Sequence, residues 1–260
     1  MSSEVAWIRW LMLALVGAVC ASCAACASEA YAQIPGVSRI VDIDIFLRQC
    51  PAEEELAILR QDFPVFIEPA DGAGFSPYVC VGRISGSTVP SDELLVYQAL
   101  RVIRHMRLGE SLPWTDLHPY AWLKSRINGI VISADATYSH CCQRFPAVDH
   151  PGDITAIVLK KADPFLLQCR KGWVDPQAGV GLDGLVYLIF HEARHVDVPH
   201  TCGADDATLS EMGAWGVQYT VAQWIADGRI DIGTRGNPLY RAYARASARV
   251  ARERICEFDG

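Results

Sequence analysis

Apolar residues recur at helical spacing through Leu182, Leu185, Val186 and Ile189, and the run continues into Phe190 with little polar interruption. Asp183 stands where an N-cap would. Val198 before Pro199 marks the stop, because a residue preceding proline avoids the α region. The pattern predicts a buried helix over roughly 183–196. A second periodic stretch, with Trp215, Val217, Val221, Trp224 and Ile225 as its apolar positions, predicts a helix from Thr208 to Ala226. Ser91-Asp92-Glu93 caps a third, which carries Leu94, Leu95, Leu100, Ile103 and Met106 towards Leu108. Shorter helices are expected over Glu53–Gln61 and Trp114–Arg126. β-branched runs predict strands at Val65–Ile67, Gly129–Ser133 and Ile154–Leu159, the last two separated by a long Cys/His/Pro loop. Ile40–Leu47 fits either a strand or the first turns of a helix, and Pro69–Pro77 is rich in turn formers. Trp122 and Trp173 are expected in the core or a cleft wall. The segment from Leu239 to Cys256 reads as an Ala-rich helix whose Arg241, Arg245, Arg249, Arg252 and Arg254 face solvent while the alanines pack inward.

The first of these helices ends in His191-Glu192-Ala193-Arg194-His195, an HExxH motif. Residues four apart lie on one helical face, so the two imidazoles can reach one ion. Glu192 sits about 100° further round, where it can hold a water beside that ion without ligating it. A catalytic zinc site takes three protein ligands with water in the fourth position, so one more ligand is needed. Glu211, early on the next predicted helix, is the leading candidate. His200, in the loop after Pro199, is its main rival, with Asp205 or Asp206 next. The motif HExxHxxGxxH does not apply, since Val198 and Thr201 occupy its glycine and final histidine positions.

With His191, Glu192, His195 and Glu211 in these places, the segment from Leu182 to Ala226 resembles the zincin metallopeptidases, in the gluzincin arrangement of thermolysin-like enzymes. The resemblance implies an α+β fold, mainly helical, with a small sheet packed on the motif helix and an edge strand lining the cleft. It implies Zn²⁺ held by His191, His195 and Glu211, Glu192 as general base, and a peptide or protein substrate. Tyr219 and His200 are the groups available to steady a tetrahedral intermediate. His140 and His150 lie in the loop between the two later strands, whence they can approach the cleft, though exposure is the commoner fate of loop histidines.

The N-terminal residues change the picture of compartment. Arg9 precedes an apolar run from Trp10 to Cys20, small residues follow, and Ala30-Tyr31-Ala32 offers a cleavage site, so 1–32 reads as a signal peptide. An uncleaved anchor or a lipid attached at Cys20, Cys23 or Cys26 is the alternative, and any membrane attachment rests on this segment alone. Residues 33–260 then form one metal-binding domain containing seven cysteines: Cys50, Cys80, Cys141, Cys142, Cys169, Cys202 and Cys256. In an exported chain these suggest disulfides, with Cys202 placed to staple the ligand loop and the adjacent Cys141 and Cys142 expected to pair outward. A formal net charge of −7 gives no footprint for nucleic acid. Neither a phosphate-binding loop nor a nucleophile elbow is present. The competing reading is a disulfide-stapled exported binding protein whose motif holds a structural metal or none.

Overall fold

The computed structural model describes residues 34, 37–68, 91–146, 152–164, 166–167, 181–234 and 238–260. The expected signal peptide, the Pro69–Pro77 segment, His150 and Trp173 lie outside them. In chain order the described elements are α1 (Ile43–Arg48), α2 (Glu53–Asp62), β1 (Val65–Glu68), α3 (Asp92–His105), β2 (Arg107–Leu108), α4 (Pro119–Arg126), β3 (Gly129–Ser133), β4 (His140–Pro146) and β5 (Asp153–Lys160). They continue with α5 (Gly181–Arg194), β6 (Asp206–Thr208), α6 (Ala214–Asp227), β7 (Ile230–Asp231), α7 (Pro238–Arg252) and β8 (Ile255–Glu257). The class is mixed α and β, with seven helices and a small mixed sheet among the described residues.

Local chemistry explains most boundaries. Asp42 accepts hydrogen bonds from the amides of Asp44 and Ile45 and so starts α1 as a helix, which decides between strand and helix for that segment. Ser91 accepts from the Leu94 amide at the start of α3, as its position predicts. The helix expected from Trp114 begins instead at Pro119, whose fixed φ suits the first helical position, with His118 accepting from the Tyr120 amide. α5 starts at Gly181, so Asp183 lies inside the helix and is not its cap. The chain leaves α5 through tighter bonds, His195 N–H to Glu192 O and Val196 N–H to Ala193 O, before Pro199.

The four-stranded sheet has the order β1-β3-β5-β4, parallel throughout except that β4 runs antiparallel to β5 at the edge. Its alternation sends Ile130, Ile132, Ile157 and Leu159 into the main core, and Val131, Ile154, Ala156 and Val158 into a smaller cluster on the other face. β4 corrects the expectation of a loop between β3 and β5: His140–Pro146 pairs along β5, with a register shift between Cys141 and Gln143. Backbone pairing there overrides a composition that carries no strand signal.

The motif helix α5 packs against α3, α4 and α6 and touches β4 and β5. Leu185, Val186, Tyr187, Ile189, Phe190 and Ala193 are fully buried, and Phe190 stacks on Trp122 with ring centroids 5.6 Å apart. Along α7, Ala244, Ala248 and Ala251 are buried while Arg245, Arg249 and Arg252 are exposed, as the sequence pattern predicts. Arg241, however, is half-buried, the helix ends at Arg252, and Arg254 lies beyond it, half-buried and paired with Asp205. Among the described residues no helix is long and apolar enough to cross a membrane.

Candidate metal centre

Burial of α5 carries His191 and Glu192 inward, leaving them 6% and 5% exposed. His195, one turn on, lies at the helix exit and is half-buried. The two Nε2 atoms stand 3.3 Å apart. Two nitrogens each about 2.0–2.1 Å from one ion at a tetrahedral angle would be about 3.3–3.4 Å apart, so the pair already has the spacing of two ligands.

The chain turns at Pro199 and brings His200 back over the same point. Its ring centroid lies 4.5 Å from that of His195 and 5.7 Å from that of His191. One ligand atom from each of His191, His195 and His200 lies within 4.8 Å of the others, and these three form the group among the described residues that could hold a metal ion. Hydrogen bonds fix how two of the rings present themselves. Nδ1 of His195 donates to Val198 O at 3.2 Å, and Nδ1 of His200 donates to Asp206 Oδ1 at 3.1 Å, which in each neutral ring leaves Nε2 as a bare donor atom for an ion. The buried side chain of Gln218 on α6 is within hydrogen-bonding reach of the His191 ring.

Electrostatics favour the ligand form of the helix pair. Burial, then the neighbouring His195 and His200, holds His191 well below the usual histidine range. Burial, then His200, lowers His195 as well. Neutral imidazole is the form that binds metal. Burial, with the Asp163 carboxylate adding to it, pushes Glu192 up to about 8. Trp215 closes one side, edge-on to His191 at 4.3 Å between centroids and near-parallel to His200 at 6.2 Å.

Glu211 is not in this group. The second helix begins at Ala214 rather than Thr208, and Glu211 falls in an exposed turn where its carboxylate accepts from the Thr201 hydroxyl at 2.7 Å. Two constraints account for the late start. Asp206–Thr208 is drawn into β6, paired in parallel with β8, and Met212 adopts φ 47 with its carbonyl bound by Arg194 Nε at 2.7 Å. A left-handed residue ends any helix running through it. Asp205 and Asp206 also stand aside: Asp205 is paired with Arg254 at 2.6 Å, and Asp206 lies behind His200. The side chain that the structure brings to the two helix histidines is therefore His200, for which the sequence offered only its place in the loop.

A disulfide between Cys202 and Cys256 ties this loop to β8, the staple expected at Cys202. Cys141 and Cys142 are paired with each other rather than outward. His140, in β4, has its Nδ1 on Tyr138 O, and Tyr219 packs against Phe258, so neither is among the clustered groups. Asp163, whose charge acts on Glu192 and which accepts from Ser139, carried no signal in the sequence. No family model matches the chain, and comparison with curated proteins and with solved structures finds no match.

Proposed function

We propose that the chain is an exported zinc-dependent hydrolase of zincin type, acting on a peptide or protein with Glu192 as general base. The observation that carries this reading is the convergence of three imidazoles, His191, His195 and His200, with the buried Glu192 next to His191 along the same helix. Structural zinc sites use four protein ligands, whereas catalytic sites use three and keep a position open. Neutral nitrogen donors suit zinc and its transition-metal neighbours and do not suit magnesium or calcium, which prefer oxygen. With no carboxylate in the set, none of the ion's charge is neutralised by a ligand.

When bound, a zinc ion would supply Lewis acidity at that open position, polarising a substrate carbonyl and making water there acidic near neutral pH. Glu192 takes the proton of the attacking water and delivers it to the leaving amine. Its burial favours the acid form, and a cation held by the adjacent neutral histidines would return it towards the carboxylate a base requires. α5 holds Glu192 one residue from His191, so base and ligand are positioned by the same turn of helix. An edge strand lies against that helix: β4 ends the sheet order, and an extended peptide could add to it by main-chain hydrogen bonds. The Cys202–Cys256 disulfide suits an oxidising compartment, in keeping with an N-terminal export signal.

The test is metal analysis of the purified protein followed by hydrolysis of a mixed peptide library with and without chelator. About one zinc per chain and chelator-sensitive cleavage are expected; a chain that takes up no zinc overturns the reading. One observation favours the alternative of a stapled binding protein with a structural metal. Trp215 packs against both His191 and His200, so its indole takes up space beside the clustered rings. Zinc at full occupancy with no cleavage of any peptide would support it.

A further inference from the structure

We propose that Asp206 is a positioning residue for the metal centre, setting the tautomer and aim of His200. This rests on the reading that His191, His195 and His200 share an ion. Asp206 is 1% exposed, and a carboxylate so buried is costly unless both oxygens are satisfied. Here they are. Oδ1 accepts from Nδ1 of His200 at 3.1 Å, and Oδ2 accepts from the Gly216 amide at 2.9 Å, in the first turn of α6 where the helix dipole favours negative charge.

The surroundings are shaped to this carboxylate. A side chain at Gly213 would put its Cβ 2.5 Å from the Asp206 carboxyl, so only glycine allows the approach. From the other side, the Asp206 amide donates to Arg254 O at 3.1 Å and anchors the residue to β8. Asp206 is thus fixed at backbone and side chain before His200 meets it. With both oxygens engaged behind the ring, it acts through His200 and does not ligate. His195 needs no such partner, because its Nδ1 is held by the backbone carbonyl of Val198. His200, on a loop with no helix to orient it, depends on a side chain. A carboxylate accepting from a ligating imidazole also makes its other nitrogen a better donor.

The experiment is a double-mutant cycle on the full chain, with Zn²⁺ affinity read by competition with a chromogenic chelator. The variants are Asp206→Asn, His200→Ala and the two combined. Asparagine keeps the shape and can still accept from the Gly216 amide. Asp206→Asn should weaken zinc binding about 10–100-fold. In the His200→Ala background the same change should have no further effect. An equal loss in both backgrounds means that Asp206 acts through the fold, and overturns the proposal; so does an unchanged affinity in the single variant. If the parent itself binds no zinc, the function reading and this proposal fall together, whereas the preceding outcomes sink only the proposal. Imidazole nitrogen NMR of the metal-free protein at pH 8 gives a second readout. The Nδ1–H tautomer is expected at His200, and the Nε2–H tautomer would overturn the assignment whatever the metal result.

Discussion

The candidate metal centre is assembled from two regions held in different ways. His191 and His195 ride on α5, whose apolar side chains are sunk among α3, α4 and α6. Their relative position is a property of the helix and persists wherever the helix does. His200 sits on a loop with no regular structure of its own. It is placed by contacts to residues far along the chain: Cys202 to Cys256, Asp205 to Arg254, the Asp206 amide to Arg254 O, and the Leu209 amide to Asp259. One half of the site is local and the other is stapled. The two halves should therefore fail separately when perturbed.

The largest expected effect tests the chemistry of the helical half. Glu192→Gln should reduce peptide hydrolysis about 10²–10⁴-fold while metal content stays that of the parent. Parent-like turnover would remove Glu192 from the base role. Next, Phe190→Ala removes the ring stacked on Trp122 beneath the motif and should cost about 3–5 kcal/mol in denaturant unfolding. The stapled half is then addressed by Cys256→Ser. Unfolding free energy should drop by about 2–4 kcal/mol, with zinc affinity falling alongside it. If affinity held, the loop would be ordered without its covalent tie.

Two smaller effects bound the comparison. Glu55, which lies in neither half, takes hydrogen bonds from His105 at 2.6 Å and Arg101 at 2.8 Å. Burial acts to raise it, but the His105 hydrogen bond and the Arg101 charge together hold it below the usual glutamate value of 4.5. A depressed carboxylate contributes stability that is present above the unfolded value and lost as pH falls through the folded one. Glu55→Gln should therefore destabilise the protein at neutral pH and converge with the parent in acid below that range, without changing zinc affinity. Convergence at high pH instead would reverse the assigned sign. Glu211→Ala should be the mildest change, within about 0.5 kcal/mol in stability and with zinc affinity retained. A large loss of zinc would return the third ligand to Glu211.

What the sequence disclosed follows the same division. Features set by neighbours in the chain were legible: the motif helix, the Ser91 cap, the strands at Gly129–Ser133 and Ile154–Leu159, and the inward alanines of α7. Features set by distant partners were not. Thr208 reads as helical by period, yet β6 pairs it with Glu257, a residue with no strand signal of its own. His140–Pro146 became a strand because β5 offered it an edge. Glu211 lies outside the cluster because α6 begins only at Ala214, and nothing in the local pattern announces the left-handed Met212. His200 was visible only as a histidine five residues past the motif, after a proline turn.

The staple has a consequence for how the protein is made. Cys256 follows Cys202 by 54 residues, and the carbonyl that receives the Asp206 amide lies on Arg254 beside it. During synthesis the paired imidazoles of α5 therefore emerge well before the C-terminal ties to the loop of His200 exist. A nascent chain arrested short of Arg254 would lack both of these ties, so the loop that carries His200 is fully anchored only when β8 arrives.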